Sequence, residues 1–244
     1  PGEAAFIAME FVEGMNLRDF QMEQADQLFA WEHIKPLAEH ICAALEYAHG
    51  EGLMHGNLKP SNLILDNRGR LKLADFGLPL LPPEMMKRIV GEEIDPATLR
   101  YLSPQRLERK PLTRAHDIYG VGASPYQFLG GKPPFWTGNI PHQIQHGRPR
   151  PLTELIADAG GIDSVPPHVS ALVMACLAKE PGQRPETASA VAEWINAAPA
   201  ENARAVAPAP RPSASSMRAR AMVPSSRTPP SHGAPARRAR SPIG

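Results

Sequence analysis

Cysteine is scarce in this chain of 244 residues: only Cys42 and Cys176 occur, and neither has a partner at metal-ligand spacing. That excludes a disulfide framework and a Cys-rich metal domain, and it fits a reducing, intracellular setting. Both cysteines lie inside apolar helical patterns, so two buried thiols are expected rather than one bridge between them. No run of about 18 apolar residues appears, so no membrane span is expected. No signal-peptide pattern opens the chain either. A cytoplasmic protein is the expectation. The first residue is Pro1 rather than Met, which suggests a fragment or a processed piece.

Acidic residues are nearly missing from 199–244, where Glu201 stands alone against eight Arg and nine Pro. That stretch carries +7, so the overall +1 leaves −6 on the rest of the chain. With almost no large apolar residue it cannot bury enough surface to fold, and a disordered basic tail is expected over 199–244. Its arginines, from Arg218 to Arg240, would suit nucleic acid or anionic lipid. No aromatic residue is there to stack on a base, and a solvated linker is the plainer reading. Hydrophobic content of 42% is enough to give the remainder a packed core.

Along that remainder, the apolar run 5–9 is consistent with a buried strand, and 16–20 starts a short helix. A long helix follows, with Ile34, Leu37, Ile41, Cys42, Leu45 and Ala48 forming one apolar stripe. Pro36 is expected in its first turn, and Gly50 and Gly52 end it. Asp66-Asn67-Arg68-Gly69 reads as a hairpin turn between Leu63-Ile64-Leu65 and Leu71-Lys72-Leu73. Residues 78–112 are Pro-rich and read as irregular. A central helix over 117–129 is apolar almost all round, and Pro125 should bend or shorten it. Shorter helices are expected over 140–146, 168–178 and 187–197.

Two polar clusters flank the hairpin. His55-Gly56-Asn57-Leu58-Lys59-Pro60-Ser61-Asn62 precedes it, and Asp75-Phe76-Gly77 follows 13 positions beyond Asn62. A lone Asp-Phe-Gly would be an ordinary turn; the pair, set across a hairpin, is far less common. The arrangement resembles the catalytic and metal-binding loops of protein kinases, in which the first loop carries His-Arg-Asp.

The resemblance implies roles residue by residue. Asn57 stands at the position of the catalytic Asp, and Lys59 at that of the lysine supporting the transferred phosphate. Asn62 and Asp75 would hold Mg²⁺ against ATP. His55 and Phe76 would pack together beneath, with Gly77 completing the turn. An amide cannot take a proton at neutral pH, so a general-base role is lost at Asn57. Gly56 lacks the guanidinium that would read a phosphorylated loop.

Further motifs follow in the family's order. Thr98-Leu99-Arg100-Tyr101-Leu102-Ser103-Pro104-Gln105 resembles the end of the activation segment, with Thr98 contacting the catalytic loop. Gln105 replaces a Glu that pairs with a distant arginine, identified here as Arg184, so Arg184 is expected to be partly uncompensated. Asp117 would accept hydrogen bonds from the catalytic-loop backbone at the start of the central helix. Met9 would be the gatekeeper, Glu10 and Val12 the hinge against adenine, and Ile64 the floor under the base. The family's Gly-rich loop, strand lysine and helix glutamate have no counterpart, because the chain starts where the two lobes would join.

The expected fold is therefore α+β and protein-kinase-like. Residues 1–15 would form the hinge and the end of the small lobe, 16–198 the mainly helical large lobe, and 199–244 the tail. The leading function is a Ser/Thr-type pseudokinase acting as a regulatory or binding module on a protein partner. An active or weakly active kinase, completed by an upstream small lobe and acting on protein substrates with ATP and Mg²⁺, is the alternative. Binding of nucleic acid or an anionic membrane through the tail is the third. Without a covering lobe, Met9, Phe11 and Ile64 would be partly exposed.

Overall fold

A computed structural model describes residues 8–24, 27–77, 95–159 and 165–197. All of them belong to the first of two compact units, Pro1–Ala205; the second, Val206–Gly244, lies outside the described residues. The tail expected over 199–244 is therefore outside them as well.

The chain enters through strand β1, Gly14–Asn16, and helix α1, Leu17–Glu23. Asn16 caps α1 by accepting from Asp19 N at 3.0 Å, satisfying one of the amides a helix start leaves open. Helix α2, Trp31–Gly50, presents the predicted stripe, with Ile34, Ile41 and Leu45 at 1% exposure or less. Gly52, at φ 75°, turns the chain out of it, and Leu53 N closes onto Ala48 O at 2.8 Å.

The hairpin is β2, Leu63–Asp66, and β3, Leu71–Leu73. Their register pairs Leu63 with Leu73 and Leu65 with Leu71, and β1 adds antiparallel to β2 with Met15 opposite Leu65. Asp66 organises the turn by accepting from Arg68 N and Arg70 N at 2.9 and 2.8 Å.

Two short helices follow, α3, Pro96–Leu99, and α4, Pro104–Leu107. The central helix α5 spans Arg114–Gly130, and α6, Ile140–His146, and α7, Leu152–Asp158, come next. Helix α8, Pro167–Cys176, and α9, Ala188–Asn196, complete the described elements. The core lies where α2, α5, α8 and α9 meet, and Ile118, Tyr119 and Phe128 of α5 share one buried cluster with Val169, Leu172, Val191 and Ile195. Cys42 and Cys176 are buried free thiols, and burial pushes Cys42 up to about 12. No described helix is long and apolar enough to cross a membrane.

Several expectations need correcting. The strand over 5–9 falls mostly outside the described residues, and Ala8 and Met9 are not in a strand. Residues 95–112 are irregular only in part: Asp95 and Ser103 cap the short helices α3 and α4, each with Pro at the first helical position, where its missing N–H costs nothing. Residues 78–94 lie outside the described residues. Pro36 is in the second turn of α2, because the helix already begins at Trp31. It is exposed, as is Glu32, whose freed carbonyl can meet water. Helix α5 starts three residues before Asp117, because Thr113 and His116 form a capping box there. Pro125 does not shorten it; burial of both its flanks outweighs one missing hydrogen bond. Strand β1 and helix α7 carry too little apolar periodicity to have been read from the sequence.

Candidate functional site

The polar loop 55–62 hangs from one buried carboxylate. Asp117 Oδ2 accepts from His55 N at 2.9 Å and Oδ1 from Gly56 N at 2.7 Å. His49 Nε2 lies 2.7 Å from Oδ2, with both side chains fully buried. Arg114 Nη2 donates to His49 O at 3.1 Å, tying the end of α2 to the start of α5. Two features let the loop approach so closely. Gly56 sits at φ 71°, a left-handed conformation that glycine adopts freely. Gly120 faces Leu58, whose Cβ would lie 2.8 Å from any Cβ added there.

His55 is fully buried. Its Nδ1 accepts from Asn57 N at 3.3 Å, and its ring lies 4.4 Å from that of Phe76. Burial holds His55 below the ordinary imidazole value, against the opposing pull of Asp117 and Asp75. Phe76 keeps 36% of its surface exposed, so it covers His55 without being enclosed itself. Gly77, at φ 67°, donates its N–H to His55 O at 3.3 Å.

Above this anchor the loops carrying oxygens come together. Ala74 N donates to Asn62 O at 2.8 Å, which fixes the residue before Asp75 against Asn62. Asn62 is buried and donates its Nδ2 to Asn57 O at 2.8 Å, so its Oδ1 remains as an acceptor. Asp75 follows at φ 63°, an unusual backbone angle for a residue with a Cβ. An amide oxygen and a carboxylate on adjoining loops are a fitting start for Mg²⁺, which takes few protein ligands and keeps several waters.

Lys59 Nζ donates to Thr98 Oγ1 at 2.6 Å, and Thr98 Oγ1 donates to Asp95 Oδ2 at 3.3 Å. Burial lowers the Lys59 pKa, while Asp95 and Asp75 oppose that. Asp95 itself, accepting from Ala97 N, is held below the usual carboxylate range. The structure thus brings Lys59, Thr98, Asn62 and Asp75 around Asn57. Asn57 is half-buried, and its backbone rather than its side chain makes the hydrogen bonds described.

The residues expected to form the hinge supply only one wall. Glu10 reaches Lys72 Nζ at 3.2 Å, across β3 from Ile64, which pairs with Lys72 in the sheet. Ile64 and Val12 are half-buried, but Met9 is 60% and Phe11 86% exposed. A base laid on Ile64 would have a floor and, among the described residues, no roof.

Gln105 and Arg184 meet away from the loop, at the start of α5. Arg184 Nη2 donates to Gln105 Oε1 at 2.7 Å and to Lys179 O at 2.9 Å. Its Nε donates to Ala178 O and its Nη1 to Ala115 O. The ring of Tyr119 lies 5.1 Å from its guanidinium carbon. The arginine expected to be partly uncompensated thus makes four hydrogen bonds, all to neutral carbonyls and an amide, and burial lowers its pKa to about 10. Sequence reasoning missed His49, Asp95 and Gly120. Only Asp95 left a signal, as an Asp-Pro pair at a helix start.

Residues 2–195 match the family model for the protein kinase domain. The chain belongs to the protein kinase family. Its Ser/Thr type follows from relatives such as a probable serine/threonine-protein kinase PknB of Corynebacterium glutamicum, 34% identical over 191 residues. Serine/threonine-protein kinase PknB of Mycolicibacterium smegmatis is 30% identical over 190 residues. Both alignments cover 77% of this chain but 29% of the relative, so the chain spans under a third of the length of these curated kinases. The fold is that of solved kinase domains. The Rad53 kinase domain, in complex with AMPPNP, superposes with a TM-score of 0.58 at 23% identity, covering 78% of this chain and 68% of that one. The Mycobacterium tuberculosis PknI kinase domain gives 0.57 at 20% identity, covering 77% and 63%.

Proposed function

We propose that this member of the kinase family is a regulatory or binding module on a protein partner, with phosphoryl transfer lost or strongly reduced. The observation that carries this is Asn57. It stands among Lys59, Asn62, Asp75 and Thr98, and its amide cannot accept a proton from a substrate hydroxyl at neutral pH. In this reading 1–15 is the hinge, 16–198 the large lobe and 199–244 a tail, and the protein works in the cytoplasm. ATP with Mg²⁺ is the ligand that Asn62, Asp75 and Ile64 would suit; the cation would neutralise phosphate charge. Asn62 offers its Oδ1, Ile64 offers the floor, and Lys59 supplies a positive charge already oriented by Thr98.

That last contact favours a second reading, a weakly active Ser/Thr kinase. Much of the acceleration in phosphoryl transfer is positioning and electrostatics, which an oriented Lys59 still provides. Phosphate transfer from ATP to protein, measured on the natural protein with whatever precedes Pro1, separates the two. The proposal expects no transfer above an Asp75→Ala control. Clear Asp75-dependent transfer would overturn it, and in that case Asn57→Asp should raise the rate by about 10²–10⁴.

A further inference from the structure

Helix α6 carries two residues that neither the core nor the loop 55–62 employs, His142 and His146. They stand four apart, a spacing that places side chains one above the other on the same face of a helix. Both are exposed. Their ring centres are 4.9 Å apart and the rings are tilted by 58°, so they are not stacked face to face.

A helix of seven residues would not hold this spacing by itself in water. This one is fastened at both ends. Asn139 Oδ1 accepts from His142 N at 3.1 Å, and Gln143 Nε2 donates to Thr137 O at 2.6 Å. At the other end Lys179 Nζ donates to Gln143 O at 3.1 Å and to Ile144 O at 2.6 Å, with the Phe135 ring 4.5 Å beneath it. Ile144, two positions from each histidine and so on the other side of the helix, is fully buried. Burial of that side leaves the histidine face to solvent.

The separation of the rings suits one cation shared by both. A bond of about 2.0–2.1 Å to a ring nitrogen puts the cation about 3.2 Å from each ring centre. Where the two nitrogens subtend about 90–110° at the cation, as square or tetrahedral ligation requires, the ring centres stand about 4.5–5.2 Å apart. The observed 4.9 Å lies inside that range. Rotation about the Cβ–Cγ bond, which is soft for an imidazole, would turn one nitrogen of each exposed ring toward the shared point.

Imidazole nitrogen selects zinc, nickel and copper over magnesium and calcium, which take oxygen. Among the described residues no third His, Cys, Asp or Glu joins the pair. Water would fill the remaining positions, which makes the site open rather than a closed structural zinc centre. We propose that His142 and His146 form a two-histidine site for a late first-row divalent cation, which staples one turn of α6. The proposal stands whether or not the chain transfers phosphate.

The test is an NMR titration of the full natural protein with Zn²⁺, which is diamagnetic and leaves ring signals sharp, observing His142 and His146. Both rings should shift saturably with one shared dissociation constant, and Mg²⁺ should shift neither. His146→Gln should weaken Zn²⁺ binding read at the His142 ring by about 10²-fold, because the second imidazole no longer binds within the same molecule. His142→Gln should do the same at the His146 ring, and either variant suffices should the other fail to fold. Rings that saturate with different constants, a remaining ring whose affinity neither substitution changes, an equal response to Mg²⁺, or no shift with Zn²⁺ would each overturn it.

Discussion

The two faces of the loop 55–62 obey different rules. Its lower face is buried, and Asp117 holds it through the backbone N–H groups of His55 and Gly56. Its upper face carries Asn57, Lys59 and, across a backbone bond, Asp75, all only half-buried. The anchor grips the main chain through N–H groups and takes nothing from the side chain at 57, while the left-handed backbone at 56 favours glycine. Chemistry-bearing residues can therefore change on the upper face while the scaffold below persists. Loss of an acid at Asn57 and of an arginine at Gly56 is compatible with an intact fold for this reason.

The sharpest way to break that contrast is to remove the anchor. Asp117→Ala leaves two backbone amides and His49 Nε2 buried without their acceptor, and should cost about 3–5 kcal/mol in urea unfolding. Asn57→Ala, on the upper face, should lie within about 0.5 kcal/mol of the unaltered protein. A comparable loss in both would mean that the upper face is structural after all. A smaller effect is expected at Gly56. Its φ of 71° is free for glycine and strained for any residue with a Cβ, so Gly56→Ala should cost about 1–2 kcal/mol. A neutral outcome would show that the loop can relax away from Asp117 and is less tightly held than its hydrogen bonds imply.

The two faces also differed in how far the sequence disclosed them. The helices with long apolar stripes, α2 and α5, were legible from their spacing, and the hairpin from Asp66 to Gly69. The residues around Asn57 were legible because a family pattern names them one by one. What stayed hidden was set by tertiary contact. His49 looks like one more residue in the last turn of α2 until Asp117 arrives from 68 positions away. Gly120 looks like a weak point in a helix until Leu58 packs on it. His116 looks like a surface residue until its capping box with Thr113 buries it at the start of α5. Arg184 was expected to suffer from losing a glutamate. Burial does lower its pKa, and the carbonyls of Ala115, Ala178 and Lys179 take most of its donors, a share that backbone supplies and no residue type announces.

The smallest expected effect concerns pH. His55, on the lower face, and His116, in the capping box at the start of α5, both have folded pKa values below the ordinary 6.5, chiefly because burial disfavours the charged ring. A base whose pKa is depressed by folding binds fewer protons in the native state than in the unfolded one over that window. Unfolding free energy then rises with pH there. The stabilisation is fully present above about pH 6.5 and is lost as pH falls through the window beneath it. The depressed carboxylates Asp66, Asp95 and Glu46 start from 3.8 or 4.5, so their own loss comes at lower pH and does not overlap. The urea midpoint should therefore fall between pH 7 and pH 5.5, and the ring signals of His55 should titrate below those of a free imidazole. A flat midpoint over that range, or a His55 ring titrating at or above 6.5, would mean that water reaches the lower face. The loop would then hang from Asp117 no more firmly than the exposed side above it.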